Sequence, residues 1–180
     1  MDNNADRNLK VVSRFSLFAG LLLGLLFVPA ALHAAPAPDT LLHKPAPAFV
    51  RPDLAGRPVD LKAFRSKVVL LNFWATWCGP CQLEMPRFTS WQKQYGPRGL
   101  QILGISMDEE PDGVRKNVSK LQVNYPVVMG DERLGNQYGG ILGLPVTFLI
   151  DRNGRVIARF AGEADLNAME DQIKHLLDRK

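Results

Sequence analysis

Cysteine is nearly absent from this sequence, histidine is scarce, and lysine and arginine never gather into a run. The 180 residues hold 2 cysteines and 3 histidines, with a formal net charge of +4. A structural zinc site needs four ligands. Cys78 and Cys81 supply two, while His33, His43 and His175 lie in the leader, a linker and the last helix, so no metal site is expected. Without a basic run the positive balance is spread thinly, which argues against nucleic acid as a partner. Disorder is excluded from the other side. At 46% hydrophobic residues the chain can bury a core, and its length suits one domain.

Charge is missing altogether between Phe15 and Leu32, directly after Arg7, Lys10 and Arg14. A basic flank before an apolar stretch is an export pattern, and this stretch is just long enough to span hydrocarbon as a helix. Residues 1–35 therefore read as a signal anchor or a signal peptide, and residues 15–32 as a tether in the cytoplasmic membrane. The basic side stays in the cytoplasm, and the remainder lies in the periplasm or on another extracytoplasmic face. There a vicinal dithiol becomes oxidised unless something reduces it. Pro36, Pro38, Pro45 and Pro47 mark residues 36–47 as an extended linker, leaving residues 48–180 as the folded domain.

Within that domain, residues 49–51 and 59–61 flank a turn and predict a hairpin. Val68 to Trp74 is an apolar run fit for a central strand covered on both faces. A helix is expected from about Pro80 to Tyr95, interrupted at Pro86, followed by a second buried strand from Leu100 to Ser106. The spacing of Val114, Val118 and Leu121 predicts an amphipathic helix over 109–121. A short strand at 126–129 and a short helix at 131–138 follow. Residues 146–150 and 155–160 flank the turn Asp151-Arg152-Asn153-Gly154, and Leu166, Met169, Ile173, Leu176 and Leu177 make a terminal helix. The alternation is that of an α/β fold with a central mixed sheet and helices on both faces.

The two cysteines sit where a buried strand gives way to a helix. A spacing of three puts both sulfurs on one helical face. A helix N-terminus offers unpaired N–H groups and partial positive charge, both of which stabilise a thiolate. Cys78 is thus the expected nucleophile, the more exposed of the two, and Cys81 the buried resolving thiol. Gly79 permits the tight ring, and Pro80 suits the first turn, where no N–H is needed. As a staple the pair would close too short a loop, worth roughly 2 kcal/mol against about 3 for fifteen residues. A redox couple is the better reading.

Phe73-Trp74-Ala75-Thr76-Trp77-Cys78-Gly79-Pro80-Cys81 resembles the thioredoxin active site. Together with Glu84-Met85-Pro86 and Gly143-Leu144-Pro145-Val146-Thr147-Phe148, it resembles the exported, membrane-tethered TlpA/ResA/CcmG-like branch of the thioredoxin superfamily. The resemblance implies a thioredoxin-like fold with an N-terminal hairpin and an inserted helix–strand element between Glu109 and Met129. It implies a cis Pro145 facing the cysteines, with the Leu144 backbone binding an extended substrate, and Trp77 on the active-site surface. Asn72 stands where thioredoxin carries a buried aspartate and cannot titrate. Glu84, three residues after Cys81, is expected to tune the cysteine pKa values, against the plainer reading of an acid on an exposed helical turn.

The implied activity is that of an enzyme, a thiol–disulfide oxidoreductase of the protein-disulfide reductase type. It would serve cell redox homeostasis and use no cofactor. Its partners would be a disulfide-bearing exported protein, such as an apocytochrome c in cytochrome c biogenesis or a copper-site protein, and a membrane thiol reductase as electron donor. Two alternatives fare worse. A peroxiredoxin-like antioxidant needs a threonine three residues before its cysteine, and position 75 is alanine. A copper-delivery binding protein wants a histidine near the pair.

Overall fold

The computed structural model describes residues 41–179. The expected leader (1–35) and the start of the linker lie outside the described residues. Among the described residues no helix is long and apolar enough to cross a membrane.

A hairpin of β1 (Val50–Pro52) and β2 (Pro58–Asp60) opens the domain, followed by a 3-10 turn over Leu61–Phe64. The main sheet contains β3 (Val68–Trp74), β4 (Leu100–Ser106), β5 (Val127–Met129), β6 (Val146–Ile150) and β7 (Val156–Ala161), in the order β5-β4-β3-β6-β7. β3, β4 and β5 run parallel, β6 runs antiparallel to β3, and β7 is antiparallel to β6 and so points the same way as β3. The helices are α1 (Gly79–Tyr95), α2 (Pro111–Lys120), α3 (Glu132–Gln137) and α4 (Leu166–Asp178). This is the mixed sheet expected of the thioredoxin-like fold, with the hairpin and the α2–β5 element in their expected places.

β3 is buried at every position, and its period of two divides the core. Val68, Leu70 and Trp74 face a cluster with α1, α4 and Val114 of α2. Val69, Leu71 and Phe73 face Phe49, Val59, Leu61, Leu134 and Tyr138 on the other side. A strand covered twice has no use for polar alternation, which is why it reads as one apolar run.

One expected break is absent. Pro86 lies inside α1 rather than interrupting it. Proline withholds one helical N–H, but Met85 and Phe88 on either side are fully buried and hold the helix to the sheet. Residues 41–47 also lie against the domain: Leu41, Leu42 and Ala46 pack on the second cluster, and the His43 N–H donates to the Val156 carbonyl at 2.7 Å.

Candidate active site

Cys78 occupies the N-cap of α1, with extended backbone, and its sulfur accepts the Cys81 N–H at 3.3 Å. The two cysteines form a disulfide with a Cα–Cα distance of 5.3 Å. Cys81 is buried as expected, at 1% exposure, but Cys78 at 5% is buried too rather than openly exposed. Its neighbours are more open: Trp77 stands 72% exposed, Gly79 is exposed, and Pro80 opens the helix at half burial. On reduction the N-terminal turn of α1 would direct free N–H groups at the Cys78 sulfur and favour its thiolate.

The loop carrying Cys78 is held from two sides. Asp108, just past β4, accepts the Thr76 N–H at 2.9 Å, the Thr76 hydroxyl at 2.5 Å and the Ser106 hydroxyl at 2.7 Å. Gln82 on α1 donates to the Thr76 carbonyl. Parallel pairing of Trp74 with Ser106 brings these groups level.

On the other side, the β3–β6 register sets Phe73 opposite Val146 and so carries Pro145 to the cysteine end of the sheet. The Leu144–Pro145 peptide is cis, as the resemblance implied. Pro145 is buried, and its carbonyl accepts the Gly162 N–H at 2.8 Å. Among the described residues the Leu144 N–H and carbonyl make no backbone hydrogen bond.

Glu84 departs from the plainer reading. It shares the inner face of α1 with Cys81 and Met85 and is only 6% exposed. Burial pushes its carboxyl up to about 7; the Ala164 backbone amide opposes this and the neighbouring Glu163 charge adds to it. Its Oε2 has no hydrogen-bond partner among the described residues. An acid with a pKa near neutrality beside a reacting thiol can take or give a proton at working pH. Asn72 donates to the Thr147 hydroxyl at 2.9 Å, so the aspartate's position is filled by a neutral strand-to-strand bond.

Sequence reasoning missed Asp108, Tyr125 and Glu163. Tyr125 is buried at 6% exposure, and desolvation together with the Glu84 charge raises its pKa. Its ring and the Trp74 indole both crowd Gly104, where an added Cβ would stand 3.1 Å from the Trp74 Nε1 and 3.5 Å from Tyr125. An acid directly after a buried strand was the available signal for Asp108. The other two had none, since they come from distant loops.

The comparisons agree with this geometry. The AhpC/TSA family profile matches residues 42–159. "Thiol-disulfide oxidoreductase ResA" of Bacillus thuringiensis subsp. konkukian is 37% identical over 137 residues, covering 75% of this chain and 78% of its own length. The Bacillus subtilis protein of the same name is 32% identical over 126 residues, covering 70% of each. A crystal structure of a thiol:disulfide interchange protein of the thioredoxin family from Chlorobium tepidum superposes with a TM-score of 0.69 at 30% identity. It covers 80% of this chain and 98% of that one.

Proposed function

Since this chain belongs to the AhpC/TSA family, and within it to the ResA-like thiol–disulfide oxidoreductases, we propose that Cys78 and Cys81 are its catalytic couple and that it reduces disulfides in exported proteins. The observation that carries this reading is the disulfide itself. It caps a helix, is bordered by exposed Trp77 and the unbonded Leu144 backbone, and has a buried acid on the face below.

The Cys78 thiolate attacks one sulfur of a partner disulfide, forming a mixed disulfide and releasing the first partner thiolate. Cys81 then loses its proton and attacks the Cys78 sulfur. The partner leaves as a dithiol, two electrons richer, and Cys78–Cys81 closes. Glu84, with its carboxyl near neutrality, accepts the Cys81 proton in the second step. The Leu144 backbone aligns an extended partner segment, and Pro145 closes that side. A dithiol of a membrane reductase must reopen the couple for the next turn. The apolar, uncharged stretch at 15–32 supports an anchored protein on the periplasmic side. An apocytochrome c or a copper-site protein fits as the exported substrate, both presenting cysteines that must be kept reduced.

Equilibrating the full chain with glutathione redox buffers tests the direction. A couple well below the glutathione potential supports a reductant, and one well above it makes the protein an oxidant. A peroxidase reading would need a polar group at position 75, where Ala75 is fully buried, so hydroperoxide consumption should be absent.

A further inference from the structure

Charge is sorted along the strands. The segments that meet at the disulfide end of the sheet are 73–86, 106–113, 129–133, 139–146 and 161–168, and Arg133 is the one lysine or arginine in them. They carry Glu84, Asp108, Glu109, Glu110, Asp112, Asp131, Glu132, Glu163 and Asp165, and Arg51 of β1 pairs with Asp131 at 2.6 Å. The opposite end, where β3 starts and β6 stops, holds more bases than acids.

That far end is a connected surface. Arg152 donates to the Ser66 carbonyl at 2.9 Å, and the Ser66 N–H returns to the Arg152 carbonyl at 2.9 Å. Arg155 donates to the His43 carbonyl at 3.0 Å. Pro45, Ala46, Leu61, Lys62, Phe64 and Arg65 line a small cleft against Ile150, Asp151 and Gly154. Lys67 lies over the Phe64 ring at 5.9 Å. Lys44, Lys62, Arg65, Lys67, Arg152 and Arg155 therefore share one pole. The acids there are already engaged: Asp60 accepts the Lys62 N–H, Asp151 accepts the Asn153 and Arg155 N–H groups, and Asp178 pairs with Arg98 at 2.6 Å. Lys62 and Arg65 are exposed, and neither side chain makes a hydrogen bond or ion pair among the described residues. The fold makes no use of these two charges.

The chain also joins the domain at this pole, because residues 43–46 run beside Gly154–Val156. Leu41 follows Leu32 by nine residues, a reach of at most about 30 Å. We infer that this pole is a lipid-docking surface: Lys44, Lys62, Arg65 and Lys67 sit on anionic headgroups of the membrane that holds residues 15–32, with the acidic disulfide end pointing away. The inference rests on the anchored reading above. Its physical basis is independent: clustered Lys and Arg within a Debye length of an anionic bilayer are attracted to it, and the acidic end is repelled. The two effects turn the domain in the same sense. β3 alone separates the poles by about 23 Å, at roughly 3.3 Å for each of its residues. Cys78 would then face partners in the aqueous compartment.

The test uses the full chain reconstituted with phosphatidylcholine vesicles, with and without phosphatidylglycerol. Flotation reports attachment, and amide hydrogen exchange reports orientation. The expected result is flotation with both lipids, plus at least tenfold slower exchange over 62–67 and 151–155 on the anionic vesicles alone. Each cation should be worth roughly fivefold in such a contact. High salt, or Lys62→Glu with Arg65→Glu, should remove that protection while leaving flotation intact. Equal exchange on both lipids, with flotation intact, overturns the docking surface and leaves the anchor standing. Salt-sensitive flotation on anionic vesicles only removes the anchor and keeps the surface. No flotation with either lipid overturns both.

Discussion

Thr76 donates its backbone N–H and its hydroxyl to the Asp108 carboxylate, at 2.9 and 2.5 Å. Asp108, two residues past the end of β4, thereby fixes the loop that presents Cys78, two positions on from Thr76. Asp108→Ala leaves the Thr76 N–H and the Thr76 and Ser106 hydroxyls without this acceptor. Each partly buried donor so stranded costs on the order of 1 kcal/mol. We expect urea unfolding to show a loss of about 2–3 kcal/mol, with slower disulfide exchange at Cys78. Asp108→Asn keeps an acceptor and should recover about half of the loss.

Cys78 and Cys81 should separate kinetically. Cys78→Ser should abolish partner reduction, a fall of at least about a thousandfold, since the remaining thiol, Cys81, is buried at 1% exposure and cannot reach a partner disulfide. Cys81→Ser retains the first attack and should accumulate a Cys78 mixed disulfide, visible as an intact adduct by mass spectrometry. Turnover without an adduct would rule out the resolving role of Cys81.

Glu84 makes stability depend on pH in a defined sense. Its carboxyl is held up to about 7 in the folded protein, above the ordinary value of 4.5. Between these values the folded state binds more protons than the unfolded one, so stability falls as pH rises through the window. At pH 5 and below the oxidised wild type and Glu84→Gln should be similarly stable. By pH 8 the glutamine variant should be more stable by roughly 2 kcal/mol, a value discounted for partial solvent access. Thermal melts across that range check the sign. Should the proton-transfer role hold as well, the variant would lose the pH dependence of mixed-disulfide resolution near 7.

Gly104 is required by close approach. Its added Cβ would stand 3.1 Å from both the Trp74 Nε1 and a Val127 methyl. Both neighbours are buried between α1 and the sheet and have little room to move. Gly104→Ala should cost about 1–3 kcal/mol by overpacking, with a shift in Trp74 fluorescence as its indole is displaced.

The sequence alone was enough for whatever depends on near neighbours. A buried strand running into a helix, the three-residue spacing of Cys78 and Cys81, the Asp151–Gly154 turn and the amphipathic last helix are set by periodicity and backbone preference within a few residues. Those elements lie where the pattern put them, apart from the unbroken α1 at Pro86. There packing of Met85 and Phe88 outweighs one missing N–H, a comparison no local pattern contains. Pro145 was legible through its resemblance to a known motif, since nothing in its spacing distinguishes it from an ordinary turn proline.

Only the tertiary structure decided the environment of the site. Whether Glu84 is an exposed acid or a buried one depends on Tyr125 and on the 163–164 loop, which lie some forty to eighty residues away along the chain. Asp108 meets Thr76 because β3 and β4 pair in parallel with Trp74 level with Ser106. The two oppositely charged poles likewise exist only once strand direction has carried scattered residues to one end or the other. A charge is a property of the residue, but its solvation and its neighbours follow from chain crossings that loop closure and packing select together.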